Sequence, residues 1–78
     1  MAQIRLFGLA REVAGLASFQ VAGDTVGEVM DNVKGCLGAE FGKVIPICKI
    51  WVNGEPADSL TRVEEYDEVA VLPPVSGG

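Results

Sequence analysis

One amphipathic helix set among strand-like runs limits most strongly what this chain can fold into. Thr25-Val26-Gly27-Glu28 has the form of a capping box: the Thr25 hydroxyl accepts from the Glu28 amide, and the Glu28 carboxylate reaches back. Val26, Val29, Met30, Val33 and Leu37 then recur at helical spacing and lay one apolar stripe that ends near Gly38. Gly27 and Gly35 each weaken such a helix by up to about 1 kcal/mol relative to alanine, so it depends on packing. A single helix covers one face of a sheet. The expectation is an α+β fold with a mixed four- to five-stranded sheet, the main helix on one face and the other face open.

The strands follow from alternation. Residues 3–7 place Ile4 and Leu6 on one side, and Gly8 breaks the run. Residues 9–14 read as a short helical turn closed by Gly15, and residues 17–22 as a second strand with Phe19 and Val21 inward. After the helix, residues 39–46 read as an irregular connector with Phe41 and Ile45 tucked beneath it. Residues 47–52 form a third strand, ended by the hairpin signal Asn53-Gly54. The returning arm, residues 55–58, carries Pro56 and is confined to a sheet edge. Leu60 and Val63 are expected to anchor an acidic loop before the last strand, residues 69–72.

With the inward set fixed, the opposite parity sends Phe7, Trp51, Ala70 and Leu72 to the open face. A patch holding the only tryptophan suits a protein interface better than a solvated surface.

The chain ends Leu72-Pro73-Pro74-Val75-Ser76-Gly77-Gly78. Two prolines have no N–H to donate, so they stop ladder pairing and hold the backbone extended. The glycines let backbone pass a slot too narrow for a Cβ. What remains at Gly78 is an α-carboxylate, ionised at pH 7 given its reference pKa of about 3.3–3.7. The organisation expected is a folded domain over residues 1–72 and a flexible tail over residues 73–78 that presents a carboxylate.

At 78 residues with 49% hydrophobic content, the chain is one small domain with enough material for a core. A net charge of −5 disfavours nucleic acid and anionic membranes as partners and suits a protein with a basic docking surface. No histidine is present, which removes the commonest general base and metal ligand, so neither a metal site nor an isolated enzyme is expected. No apolar run approaches the roughly eighteen residues that span a bilayer, and the start lacks signal-peptide layout, so a cytoplasmic location is expected. Cys36 and Cys48 match no redox or zinc spacing and read as buried small apolar residues.

The opening Leu6-Phe7-Gly8-Leu9-Ala10-Arg11-Glu12-Val13-Ala14-Gly15 and the ending from Asp67 to Gly78 resemble the small subunit of molybdopterin synthase. That group is the MoaD/ThiS family of ubiquitin-like sulfur carriers with the β-grasp fold. Asp24-Thr25-Val26 and Val52-Asn53-Gly54 extend the resemblance over nearly the whole chain. It implies that a ubiquitin-activating-type enzyme, using ATP and Mg, adenylates Gly78, and that sulfur then displaces AMP to leave a thiocarboxylate. It implies no cofactor bound by this chain itself. The tail would enter the large synthase subunit and deliver sulfur to a pterin precursor in molybdenum cofactor biosynthesis. Phe7, Trp51 and Leu72 would dock the body, with Pro73, Pro74, Val75, Ser76 and Gly77 in the channel. A heterotetramer of two small and two large subunits is the implied assembly. Tyr66, where such chains often carry a small turn residue, and the bulky Trp51 depart from the family pattern. Alternatives are a sulfur carrier for thiazole synthesis, a ubiquitin-like modifier joined to lysines through Gly78, and an adaptor without covalent chemistry.

Overall fold

Alternation in the first strand decides which side of the sheet is dry: Ala2, Ile4 and Leu6 are buried, while Gln3 and Arg5 look outward. The computed structural model describes residues 1–74. Its elements are β1 (Ala2–Leu6), α1 (Gly8–Ala14), β2 (Ser18–Val21), α2 (Val26–Leu37), α3 (Ala39–Val44), β3 (Lys49–Val52), β4 (Glu55–Ala57) and β5 (Glu68–Leu72). A 3-10 turn, Ile45–Ile47, joins α3 to β3. The strands order as β2-β1-β5-β3-β4, with β1 and β5 parallel at the centre and the other pairs antiparallel. This is the β-grasp arrangement, a mixed sheet wrapped on one helix. Among the described residues, no helix is long and apolar enough to cross a membrane.

The stripe on α2 is the core. Val26, Val29, Met30 and Val33 are buried, and Leu37 packs partly against the same cluster, which includes Ile4, Leu6, Val69 and Val71 from the sheet. The Thr25 hydroxyl accepts from the Glu28 N–H at 3.2 Å, as the capping box requires. The Glu28 carboxylate, however, accepts from the Asp24 N–H at 2.9 Å, one residue before the cap. A bridge from Thr25 to Arg62 stitches the helix start to the loop after β4, with Val26 N–H to Thr61 O and Val63 N–H to Asp24 O both at 2.9 Å.

The two helix glycines differ in what surrounds them. A Cβ on Gly35 would meet nothing within 4 Å, whereas one on Gly27 would lie 3.1 Å from the Ser59 carbonyl oxygen, which already accepts from the Gly27 N–H at 2.9 Å. Gly35→Ala is therefore expected to stabilise the fold by about 0.5–1 kcal/mol. In a domain of this size that raises the thermal midpoint by about 4 °C, more at the upper end of the range. Gly27→Ala should bring no such gain. A calorimetric midpoint for Gly35→Ala at or below that of the parent would contradict the open surroundings of that position.

Four local expectations need correction. Residues 39–44 are helical, not irregular: Phe41 and Val44, one turn apart, turn into the core together. The N-cap is Gly38, without a capping side chain, so the sequence carries no start signal. Ile47 belongs to the 3-10 turn that Pro46 favours, and it is 55% exposed instead of opening β3. Leu60 is 82% exposed and anchors nothing; only Val63 is buried. Asp58 explains this, because its carboxylate accepts from the Leu60 N–H at 2.9 Å and its carbonyl from the Thr61 N–H at 3.1 Å, closing a tight turn with Leu60 at the tip. Cys36 is exposed at the edge of the α2 stripe, and Cys48 is only half-buried. The Cys48 thiol donates to the Val44 carbonyl at 3.2 Å, and burial pushes its pKa up.

Candidate docking surface at the root of the tail

β5 holds the centre of the sheet and delivers the chain directly into Pro73 and Pro74. Beside it, parallel β1 ends at Leu6, opposite Val71, so Phe7 leaves the sheet next to Leu72. The backbone then turns at Gly8 (φ +52°) into α1, and a Cβ at Gly8 would lie 3.6 Å from Pro73 Cγ. The start of α1 thus rests against the tail root. Phe7, Leu9, Ile47, Leu72, Pro73 and Pro74 line an open, mainly apolar groove of about 530 Å³.

Strand register draws the rest of the open face. One row reads Arg5, Ala70, Trp51 and Pro56 across β1, β5, β3 and β4. The next row toward the tail pairs Leu72 with Lys49. Toward the start of β5, Gln3 pairs with Glu68, and Arg5 Nη1 lies 3.5 Å from Glu68 Oε2. The parity read from the sequence holds for Trp51, Ala70 and Leu72.

The open face is not one apolar patch. Phe7 (39% exposed) and half-buried Leu72 meet at the groove with Pro73 and Pro74, while Trp51 stands a row away and does not line it. Charged Arg5, Glu68 and Lys49 interleave with these side chains. Leu9 and Ile47, both exposed apolar residues, join the groove without having been singled out by the sequence pattern. Their signal was a leftover apolar residue beside a buried one: Leu9 precedes Ala10, the one buried position of α1. Val75, Ser76, Gly77 and Gly78 lie outside the described residues.

The opposite end of β5 is fixed by polar contacts. Asn53 (φ +49°) and Gly54 (φ +84°) form the hairpin turn between β3 and β4 with the left-handed conformation that such turns require. The Asn53 amide donates to Asp67 Oδ1 at 2.9 Å, and its carbonyl oxygen accepts from the Glu68 N–H at 2.9 Å. The Glu64 N–H donates to Asp67 Oδ2 at 2.8 Å. That backbone donor first, and Asn53 second, hold the Asp67 carboxyl below the usual carboxylate range. Tyr66, 78% exposed, takes a left-handed φ of +73° in the same turn. That conformation is why a small turn residue suits this position, and for tyrosine it costs about 1–2 kcal/mol. The network sets where β5 begins and hence how the chain exits at the groove.

The ThiS family matches residues 4–78. The chain belongs to the ThiS family. Among solved structures, this ThiS-family chain is similar to small archaeal modifier protein 1 (SAMP1) from Haloferax volcanii, at 33% identity and TM-score 0.83, covering 99% of this chain and 98% of that one. It is also similar to SAMP1 from Methanosarcina acetivorans, at 25% identity and TM-score 0.89, covering 99% and 95%. It shares its fold with a chain of the complex of subunits 1 and 2 of molybdopterin-converting factor from Helicobacter pylori (23% identity, TM-score 0.75, covering 99% and 97%). No curated protein matches. The ThiS family sets the coarse function: a ThiS/MoaD-type protein, either a sulfur carrier or a ubiquitin-like modifier.

Proposed function

We propose that this chain is the sulfur-carrier subunit of a molybdopterin synthase and works through the carboxylate of Gly78. The observation that carries this reading is the junction at Leu72-Pro73-Pro74, where the central strand of a folded handle passes beside an apolar groove into Val75-Ser76-Gly77-Gly78. In the first step a carboxylate oxygen attacks the α-phosphorus of ATP on an adenylating partner, and pyrophosphate leaves. A sulfide sulfur then attacks the acyl carbon and the bond to AMP breaks, leaving a thiocarboxylate. That sulfur is a softer and better nucleophile than the carboxylate oxygen it replaces, and it is carried to the pterin precursor in the large subunit. ATP and Mg belong to the adenylating partner.

Phe7 and Leu72 at the groove, with Trp51 a row away, dock the body so that the tail alone enters each active site. The two partners compete for that surface, and the working complex is two small and two large subunits in the cytoplasm. Pro73-Pro74 favours this route over thiazole synthesis, whose carriers are less proline-marked at the tail.

Intact-mass analysis after incubation with the adenylating enzyme, ATP and a sulfide donor tests the reading. An oxygen-for-sulfur mass gain, lost when Gly78 is deleted, is the expected result; an unchanged mass overturns it. The second reading, a protein modifier, draws on the 33% identity with SAMP1. It expects lysine adducts ending in Gly77-Gly78 across a cell lysate, and the carrier reading expects none.

A further inference from the structure

The chain holds two asparagines, and one of them, Asn53, precedes a glycine. The amide carbon of an asparagine can be attacked by the backbone nitrogen of the next residue, and glycine, with no side chain, leaves that approach open. Asn53 and Gly54 are both exposed, so water reaches the turn. The Gly54 N–H makes no hydrogen bond to another backbone group among the described residues, and a Cβ at Gly54 would meet nothing within 4 Å. Against this stands the hold on Asn53. Its backbone N–H donates to the Glu68 carbonyl at 2.8 Å, its side-chain oxygen accepts from the Glu68 N–H at 2.9 Å, and its amide donates to Asp67 Oδ1 at 2.9 Å. The Asp67 carboxyl, held below the usual carboxylate range, stays an acceptor at neutral pH.

We propose that Asn53 is a deamidation site that the start of β5 holds shut, and that its conversion to a carboxylate breaks the contact that guarded it. The Gly54 nitrogen attacks Asn53 Cγ, its proton leaves with the side-chain amino group as ammonia, and a succinimide ring forms. Water then opens the ring at one carbonyl or the other, giving aspartate or isoaspartate. Closure turns the amide back over its own main chain, so both side-chain bonds to β5 must break first. After conversion the new carboxylate has no N–H to offer, and it faces the Asp67 carboxylate where the hydrogen bond had been. Isoaspartate also adds a backbone methylene to a two-residue turn, whose geometry sets the register of Val52 with Glu55. Asn32 is the internal contrast: it lies within α2, its amide donates to the Ala22 carbonyl at 2.7 Å, and branched Val33 follows it. The inference concerns the end of β5 away from the tail, and it stands whatever the tail carries.

The full chain and its Asp67→Ala variant can be incubated folded in mildly alkaline buffer and then cut with trypsin, which separates residues 50–62 from residues 12–34. Peptide masses count the exchange of NH2 for OH, and labelling by an isoaspartate methyltransferase marks the rearranged product. Asp67→Ala is expected to convert at Asn53 about tenfold faster than the parent, the factor carried by a lost hydrogen bond to a charged group, while Asn32 stays intact in both. If circular dichroism shows Asp67→Ala unfolded, Asp67→Asn takes its place, because one amide oxygen then has to serve both the Asn53 amide and the Glu64 N–H. Asn53→Asp, which mimics one product, should lower the thermal midpoint by about 4 °C. Asn53→Asp/Asp67→Asn should recover most of that loss, since donor and acceptor have only changed sides. Equal rates at Asn53 with and without the Asp67 carboxylate, conversion no faster at Asn53 than at Asn32, a parental midpoint for Asn53→Asp, or no recovery in the double variant would overturn the proposal.

Discussion

Gly78→Ala is expected to slow ATP-dependent activation about a hundredfold or more while leaving the thermal midpoint unchanged. Adenylation needs the carboxylate oxygen in line with the α-phosphorus at near-contact distance, and a displacement of about 1 Å from that geometry is enough for such a loss. On the carrier reading, a methyl group at Gly78 widens the segment that enters the partner and restricts its backbone. No core residue is near it in sequence, so the body should fold as before. Pyrophosphate exchange with the adenylating enzyme measures the first effect, and calorimetry the second. Parental exchange rates for Gly78→Ala would dismiss the idea of a slot that excludes a Cβ. Parental function after removal of both Gly77 and Gly78 would go further and point to an adaptor without covalent chemistry.

Gly23→Ala should have the opposite profile, with a large loss of stability. Gly23 sits at φ +151° between β2 and α2, a conformation that L side chains rarely adopt. A Cβ there would fall 2.7 Å from Val29 Cγ2 and 2.8 Å from the Val29 backbone nitrogen. The Val29 side chain is fully buried in the core, and its backbone belongs to the ladder of α2, so neither can give way cheaply. Strain and overpacking together put the loss at about 3 kcal/mol. That is a large share of the roughly 4–12 kcal/mol available to a domain of this length. Urea denaturation measures it directly. A loss below about 0.5 kcal/mol would mean that the turn relaxes away from α2.

What could be read from the sequence was whatever repeats with a local period. The α2 stripe, the inward parity of Ile4 and Leu6, the Asn53-Gly54 turn and the edge placement of Pro56 all follow from neighbours a few residues apart. Residues that depend on distant partners were not legible. Phe41 and Val44 make α3 one-sided only because α1 and α2 pack against it, and Gly38 offers no capping side chain to announce it. Leu60 reads as an anchor by hydropathy, yet the turn closed by Asp58 and Thr61 holds it in solvent.

The groove has the same origin. Leu9, Ile47 and Pro73 come from three separated stretches, and only the parallel pairing of β1 with β5 brings the first to the last. That pairing also places Arg5 beside Glu68, so the mixed character of the open face was hidden in linear order.

The parallel centre of the sheet has a mechanical consequence. A partner that grips the tail and pulls loads β5 lengthwise, against β1 on one side and β3 on the other. Both ladders then resist in shear, many bonds at once. Had the exit been from an outer strand such as β4, one ladder alone would carry that load. A body held this way can bear a pull on its last strand with its shape intact.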